Sequence, residues 1–132
     1  MKYLIIAIIA ISFVGCAEDT TLRPAENAQD AGREFIRASL DGNYEKARFF
    51  LLKDDDNLML LKKQQSNYQH MTNEEKRSFG DANIQPVEIK GVNDSVTNYT
   101  YYNSYHPKDT TTIRIVKTNN EWLVDLKSVI KM

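Results

Sequence analysis

The stretch that decides the fold of this chain reads Glu34-Phe35-Ile36-Arg37-Ala38-Ser39-Leu40-Asp41-Gly42-Asn43-Tyr44-Glu45-Lys46-Ala47. Its apolar residues recur at helical spacing, and Ala28 and Ala31 extend the same stripe toward the N-terminus. Pro24 suits the first turn of this helix, and Gly42 suits its C-terminal cap. Asn43 can then cap a second, short helix. The stretch therefore predicts two helices joined by a tight turn.

Two more helices are predicted downstream of this pair. The acidic residues 54–56 precede an apolar run that starts at Leu58, and acidic side chains favour the positive N-terminal end of a helix. We expect this third helix to run to Tyr68 or His70. Thr72-Asn73-Glu74-Glu75 has the pattern of a capping box, and Gly80 ends the short fourth helix that follows it.

From Ile84 onward the hydrophobic pattern changes to that of strands. Val87 and Ile89 alternate with polar neighbours, which predicts a half-buried strand. Three further strands are predicted over residues 96–105, 110–118 and 122–130. Asn119-Asn120 is a tight hairpin signal between the last two. Helices followed by an antiparallel meander make an α+β fold.

The first sixteen residues form a segment of a different kind. Lys2 supplies a positive charge, the run from Leu4 to Val14 is apolar, and Gly15 precedes Cys16, the only cysteine in the chain. A basic start, a short apolar run and a small residue at its end are typical of a secretory signal peptide. The run is eleven residues long, whereas a membrane-spanning helix needs roughly 20. With one cysteine, the domain has no intramolecular disulfide.

Phe13-Val14-Gly15-Cys16 resembles the lipobox of a bacterial lipoprotein. In such proteins the cysteine sulfur receives a diacylglycerol and becomes the new N-terminus. The resemblance implies a signal peptide over residues 1–15, lipidation at Cys16 and a polar tether over residues 16–24. An uncleaved transmembrane anchor and a soluble secreted form are the alternatives.

The resemblance also implies a location in the bacterial cell envelope. Ala17 follows the cysteine, where an aspartate would retain a lipoprotein in the inner membrane of Gram-negative bacteria, so we expect an outer-membrane lipoprotein. Glu18 and Asp19 resemble surface-export signals, and they equally suit a solvated tether. The protein is therefore expected on the periplasmic face or on the cell surface.

Composition limits the rest of the chain to one domain, residues 25–132. Removal of residues 1–15, whose one charged side chain is Lys2, leaves 117 residues with 16 basic and 18 acidic side chains. This balance gives no basic surface, so nucleic acid is not expected as a partner. A domain of this size can bury enough surface to fold without disulfides.

The stretch 34–47 resembles the opening of the nuclear-transport-factor-2-like (NTF2-like) superfamily, in which a first helix ends at an aspartate-glycine turn. The end of the chain, Asn119-Asn120-Glu121-Trp122-Leu123-Val124, resembles the last hairpin of those domains. More narrowly, the combination resembles small lipoproteins that carry an uncharacterised domain of this superfamily. The resemblance covers residues 25–130, although residues 52–83 match no known pattern. It implies N-terminal helices packed on a curved four-stranded antiparallel sheet, an NTF2-like or cystatin-like cone with a pocket at its open end.

Relatives with this fold include ketosteroid isomerases and polyketide cyclases, in which a pocket aspartate or histidine moves a proton. The candidate residues here are His70, His106, Asp125, Tyr99, Tyr101 and Tyr102. His106 falls in a predicted turn, His70 near a helix end, and Asp125 on the solvent side of the last strand. Two histidines cannot make a metal site of three, and no phosphate-binding loop or Ser-His-Asp pattern is present. We therefore expect no catalytic residue, metal or cofactor.

The tyrosines of the second strand are the best candidates for a binding site. Tyr99, Tyr101 and Tyr105 fall on one face of a period-two strand, and Tyr102 falls on the other. At the mouth of a pocket they would offer rings with hydroxyl tips to a lipid, a glycan or a peptide. The alternatives are cross-strand pairs that hold the sheet together and an interface with another protein, including a homodimer.

The sequence therefore predicts a membrane-anchored envelope lipoprotein with a non-catalytic binding domain. Its partner would be a small amphipathic ligand in the pocket or an envelope protein on the sheet. The alternative function is that of a pocket enzyme of the isomerase or cyclase type on the same fold.

Overall fold

The computed structural model describes residues 21–131, and their side chains as far as Ser128. The predicted signal peptide, residues 1–15, and the predicted lipidation site, Cys16, lie outside the described residues. The helices are α1 (Ala28–Leu40), α2 (Tyr44–Phe49), α3 (Asp55–Gln69) and α4 (Asn73–Asp81). The strands are β1 (Ile84–Asn93), β2 (Val96–Asn103), β3 (Thr111–Thr118) and β4 (Glu121–Lys131).

The four strands form one antiparallel sheet in the order β1-β2-β3-β4. The α+β architecture predicted from the sequence, with helices first and an antiparallel meander second, is therefore confirmed. Within residues 21–131, no helix is long and apolar enough to cross a membrane.

The start of each helix is fixed by a polar side chain that accepts a backbone N–H. The predicted cap Asn43 and the predicted capping box of Thr72 with Glu75 are present, and Asp54 of the predicted acidic start of α3 is its N-cap. The prediction for α1 was wrong by one turn, because Asn27 caps this helix and accepts the backbone N–H of Asp30 at 2.8 Å. Pro24 lies before the helix rather than in its first turn.

The two predicted tight turns rest on residues with positive φ. Gly42 has a φ of 72° directly after the C-terminal cap of α1, where a residue with a side chain would be strained. Asn119 and Asn120 have φ values of 49° and 61°, the left-handed pair that a two-residue hairpin between β3 and β4 requires. Gly80, by contrast, lies inside α4, which continues to Asp81.

The core lies between α1 and the inner face of the sheet. Its buried apolar side chains come from α1, α2, the first half of α3 and the strands: Ala28, Ala31, Phe35, Ile36, Ala38, Leu40, Ala47, Phe50, Leu51, Leu61, Ala82, Tyr99, Ile113, Ile115, Val124 and Leu126. Gly32 allows the helix to approach the sheet closely, because a Cβ at this position would lie 2.8 Å from Cδ1 of Ile115. Among the described side chains, the buried core thus runs from Ala28 to Leu126.

Strand β1 exists as predicted, but it is exposed rather than half-buried. The register with β2 shifts between Pro86 and Glu88 and again between Gly91 and Asn93, which makes Val87 and Val92 the extra residues of two β-bulges. Val87 is 55% exposed and Val92 54% exposed. The alternation in the sequence was therefore misleading, because bulged residues leave the two-residue period and β1 lies at the edge of the sheet.

Strand β2 ends at Asn103, two residues earlier than predicted, so Tyr105 is not part of it. The side-chain carbonyl of Asn103 accepts the backbone N–H groups of Tyr105 and His106, both at 3.0 Å. This local turn competes with the ladder and bends the chain away from the sheet. The third strand begins accordingly at Thr111.

Candidate functional site

A cavity of about 650 Å³ opens between the helices and the sheet. It lies beside the C-terminal half of α1, at the end of the sheet where β2 ends and β3 begins. Residues from all four helices and from β2, β3 and β4 line it: Phe35, Ile36, Ser39, Leu40, Tyr44, Gln64, Asn67, Tyr68, Met71, Phe79, Tyr101, Asn103, His106, Asp109, Thr110, Thr111, Ile113 and Leu126. Its size is that of a site for a small organic molecule.

The inner part of the cavity is apolar. Phe35, Ile36 and Leu40 of α1 face it from one side, and Ile113 and Leu126 of the sheet face it from the other. These five side chains are also buried members of the core, so the cavity wall is as rigid as the core itself. Such a surface binds the apolar body of a ligand.

The outer part of the cavity carries uncharged polar groups. The hydroxyl of Ser39 donates to the carbonyl of Phe35 at 3.0 Å, and that of Tyr44 donates to the carbonyl of Gln64 at 3.3 Å. The ring of Tyr44 packs edge-on against Tyr68, with 5.9 Å between the ring centroids. Burial, with a smaller contribution from Tyr68, raises the pKa of Tyr44. These hydroxyl groups are therefore neutral hydrogen-bonding groups at physiological pH.

Tyr101 is the polar residue placed deepest in the cavity. Its ring lies 5.9 Å from that of Tyr99, measured between centroids. Burial, and to a lesser extent the neighbouring Tyr99, raises the pKa of Tyr101 to about 12. Among the described residues, no hydrogen-bond partner of the Tyr101 hydroxyl is found, and this hydroxyl is not sealed from the cavity. It is a neutral donor that a bound molecule can use.

Charged groups are scarce in the cavity. Among the described side chains that line it, none belongs to a lysine or an arginine, and Asp109 is the one carboxylate. Asp109 and His106 both lie on the exposed turn between β2 and β3, where the backbone N–H of Asp109 donates to the carbonyl of His106 at 3.1 Å. Both titratable side chains therefore stand at the mouth of the cavity rather than inside it.

The three tyrosines proposed as a site are separated in the structure. Tyr101 lines the cavity, whereas Tyr99, on the same face of β2, is buried in the core beneath α1. Tyr105 is outside the strand and stacks on the outer side of Phe79, with 4.9 Å between ring centroids, and it does not line the cavity. The structure thus brings one of the three to the cavity.

The remaining sequence candidates lie elsewhere. His70 caps the C-terminus of α3, where its Nδ1 is 2.7 Å from the carbonyl oxygen of Ser66, and it does not line the cavity. Tyr102 points to the opposite face of the sheet from Tyr101. Asp125, predicted to face solvent, is instead half-buried, because its Oδ1 accepts a hydrogen bond of 3.1 Å from Nδ2 of Asn57. Within the described chain, no three residues of the types that bind metals form a cluster.

Sequence reasoning missed the helical wall of the cavity, which includes Gln64, Asn67, Tyr68 and Met71. These residues belong to the part of the chain that matches no known pattern, and two of them, Gln64 and Asn67, are exposed polar residues on α3. A single signal was available: Tyr44 and Tyr68 are large amphipathic side chains on otherwise polar helix faces.

Comparison with known proteins supports the fold. No family model matches the chain, and no curated protein is significantly similar to it. One solved structure is similar, the crystal structure of an NTF-2-like protein of unknown function from Shewanella oneidensis MR-1. The TM-score is 0.52 at 13% sequence identity, and the alignment covers 71% of this chain and 88% of that one. At this identity the comparison establishes shared fold alone, and the chain accordingly has the α+β fold of an NTF2-like protein.

Proposed function

We propose that this protein is a lipid-anchored envelope protein whose cavity binds a small, uncharged amphipathic ligand without converting it. The observation that carries the proposal is the Tyr101 hydroxyl, a neutral donor without a protein partner among the described residues, at an apolar cavity of about 650 Å³. A ligand with an apolar body and a carbonyl or hydroxyl oxygen would match both features.

The charges at the cavity favour an uncharged ligand over an anionic one. A bound carboxylate or phosphate needs a lysine, an arginine or a helix N-terminus to replace its water shell. Up to Ser128, no described lysine or arginine lines the cavity, and Asp109 would repel an anion at the mouth. Fatty acids and phosphorylated ligands are therefore expected to bind poorly.

Binding is favoured over catalysis by the positions of the titratable side chains. A cyclase or an isomerase needs an acid or a base that reaches the reacting atoms inside the pocket. Apart from tyrosines, the titratable groups among the described lining residues are His106 and Asp109, on the exposed turn. The proposal therefore assigns the cavity a binding role.

The predicted anchor at Cys16 suits a cavity that is open to the aqueous space. Pro24 and Ala25 lie beside Phe49 and Trp122, near the β3–β4 hairpin. The cavity lies beside the C-terminal half of α1, and this helix of 13 residues is roughly 20 Å long. A tether that enters at the hairpin end would hold the cavity away from the membrane to which it is attached.

Native mass spectrometry of residues 17–132, exported without the lipid to the periplasm of the native host, tests the binding proposal. This segment contains every core residue, so it is expected to fold. We expect a reproducible additional mass of an uncharged compound. The Tyr101→Phe variant keeps the ring and removes the hydroxyl, so its affinity should fall about three- to tenfold. The control Tyr102→Phe changes the opposite face of the same strand and should leave binding unchanged.

A bare protein mass from the host, together with no binding of uncharged amphipathic probes, would contradict the cavity proposal. Recovery of a chemically altered probe would favour the isomerase or cyclase alternative. The anchor is tested separately by incorporation of a labelled fatty acid into the full chain. The Cys16→Ser variant should lose the label and leave the membrane fraction.

A further inference from the structure

Strand β1 forms a free edge of the sheet. It pairs with β2 on one side, and no described residue pairs with its other side. It is ten residues long, and Val87, Ile89 and Val92 are 55%, 39% and 54% exposed. An exposed edge with β-branched side chains is a template for pairing with another strand. The two bulges restrict regular pairing to the stretch between them, Glu88 to Gly91.

The charges of this stretch are complementary to themselves. Glu88 and Lys90 flank Ile89 and point to the same face of the sheet, opposite to that of Ile89. Neither forms an ion pair within the described part of the chain. If two β1 strands pair antiparallel around Ile89, each Glu88 stands opposite Lys90 of the second copy, and Ile89 stands opposite Ile89.

In the same register, a small residue of one copy lies opposite a bulky residue of the other on each side of Ile89. Val87 of one copy then stands opposite Gly91 of the other. A Cβ at Gly91 would find no atom of the described residues within 4 Å, so none of them fills the space above this glycine. The exposed Val87 side chain can occupy it.

We propose that the protein forms a homodimer in which two β1 edges pair antiparallel about a two-fold axis at Ile89, to give one continuous eight-stranded sheet. The partner that pairs with this edge is a second copy of the chain, because Glu88 and Lys90 carry opposite charges and lie symmetrically on either side of Ile89. Two cross-strand ion pairs fix the register. No residue of β1 lines the cavity, so the dimer is independent of the proposed ligand binding.

The opposite edge of the sheet explains why association stops at two copies. The backbone N–H of Leu52 donates to the carbonyl of Val124 at 2.9 Å, and the N–H of Val124 donates to the carbonyl of Phe50 at 2.8 Å. The segment after α2 thus covers part of the β4 edge. A two-fold pairing of β1 edges uses this edge of both copies, and the β4 edge is partly covered, so the dimer is a closed assembly.

Charge reversal tests the register. In a dimer of Glu88→Lys, the new lysine at position 88 of each copy stands opposite Lys90 of the other, which gives two contacts between like charges. In a dimer of Lys90→Glu, the new glutamate at position 90 of each copy stands opposite Glu88 of the other, which also gives two such contacts. We expect each variant of residues 17–132 to raise the dimer dissociation constant about tenfold or more in sedimentation velocity. A mixture of the two variants should form a heterodimer about as strong as the original, and so should the double variant Glu88→Lys/Lys90→Glu.

A charge reversal away from β1, Lys63→Glu on the exposed side of α3, is the control and should leave the dissociation constant unchanged. A protein that is monomeric at every concentration overturns the proposal. So does a dimer that both single variants leave intact, since this would locate the contact elsewhere, for example on the outer face of the sheet.

Disulfide trapping gives a second readout that does not depend on charge. Residues 17–132 contain no cysteine, so Ile89→Cys introduces one thiol per copy at the proposed axis. Opposed Cα atoms in an antiparallel pair are about 4.5–5.5 Å apart, within reach of a disulfide. The matched variant Val92→Cys places its two thiols roughly 20 Å apart in this register. Faster oxidation of Ile89→Cys to a covalent dimer is the expected result, and equal rates would contradict the register.

Discussion

Nη1 of Arg37 donates a hydrogen bond of 2.7 Å to the carbonyl oxygen of Ala82, and this contact joins α1 to the end of α4. Nη2 of the same guanidinium reaches the carbonyl oxygens of Gly80 at 2.9 Å and Phe79 at 3.3 Å. No residue of α4 is fully buried, so apolar packing holds this helix only weakly. The Arg37 side chain therefore fixes the helix that supplies Phe79 to the cavity wall.

Arg37→Met should reduce the free energy of unfolding by about 2 kcal/mol. Methionine keeps the apolar stem, but the carbonyls at the end of α4 lose a charged donor, and hydrogen bonds to charged groups contribute about 1.5–3 kcal/mol each at most sites. Urea unfolding measures the loss, and hydrogen exchange should show faster opening of α4 than of α1. Arg33→Met on the same helix is the control, because Arg33 pairs only with neighbouring residues and should cost under about 0.5 kcal/mol. Equal losses for the two variants would disprove the role of Arg37.

Asn57→Leu should reduce the free energy of unfolding by about 2–3 kcal/mol, although leucine has a similar size. Asn57 is fully buried, and its Oδ1 accepts the backbone N–H of Lys127 at 3.2 Å. Its Nδ2 donates to Asp54 and to Asp125. Leucine removes the three side-chain hydrogen bonds of this buried amide, and each such bond contributes about 0.5–1.5 kcal/mol. Gln65→Leu, on the exposed part of α3, should change the unfolding free energy by less than about 0.5 kcal/mol in the same urea titration.

Acid should weaken the contact between the start of α3 and β4. The Asp54 carboxylate binds the ammonium of Lys127, and this hydrogen bond, followed by that from the backbone of Asn57, holds the pKa of Asp54 below its usual value. Because the pKa of Asp54 is lower in the folded state than in the unfolded chain, where it is near 4, ionised Asp54 stabilises the fold above about pH 4. This stabilisation is lost as the pH falls through the folded-state pKa of Asp54. Asp54→Asn should therefore be less stable than the original at pH 7, and the difference should shrink below about pH 4.

Lys127 shows the opposite linkage at the other end of the pH scale. The hydrogen bond to Asp54 raises the pKa of Lys127. The stabilisation that Lys127 gives the fold is therefore complete below the pKa of this lysine in the unfolded chain, and it is lost as the pH rises through the folded-state pKa.

Thermal unfolding of Asp54→Asn and of the original chain from pH 2.5 to pH 7 measures the effect of Asp54 in the acid range. A difference that is the same at every pH would show that the ion pair does not contribute.

Local sequence signals predicted most of the fold. The caps Asn43 and Thr72 and the Asn119-Asn120 hairpin were identified from the sequence because each depends on residues within four positions of one another. The core of β3 and β4 followed from alternation for the same reason. Elements whose signals are local could therefore be placed to within a few residues.

Contacts between distant residues could not be predicted in this way. Arg37 binds carbonyls 42–45 positions later, and Asn57 binds β4 68–70 positions later. Neither residue stands out in the sequence from other polar residues on helices. The cavity depends on such contacts, since α3 and α4 form its outer wall. The sequence proposed Tyr99, Tyr101 and Tyr105 for the site, and of these Tyr101 lines the cavity.

Gly42→Ala should destabilise the chain by more than about 1 kcal/mol and disturb the cavity. Gly42 has a φ of 72°, a conformation that costs an alanine roughly 1–2 kcal/mol. The added Cβ would also lie 2.6 Å from Oη of Tyr68 and closer still to its ring, so the ring that lines the cavity must move.

Gly80→Ala is the matched control for this substitution. Gly80 lies in α4, and a Cβ there would find no atom within 4 Å. Alanine in a helix interior is favoured over glycine by roughly 0.5–1 kcal/mol, so this variant should gain stability. Urea unfolding of both variants tests whether the free energy of unfolding falls for Gly42→Ala and rises for Gly80→Ala. In a binding assay, Gly42→Ala should bind ligand more weakly, and Gly80→Ala should bind it as the original chain does. Losses of similar size at the two positions would mean that neither the turn conformation nor the position of Tyr68 governs the effect.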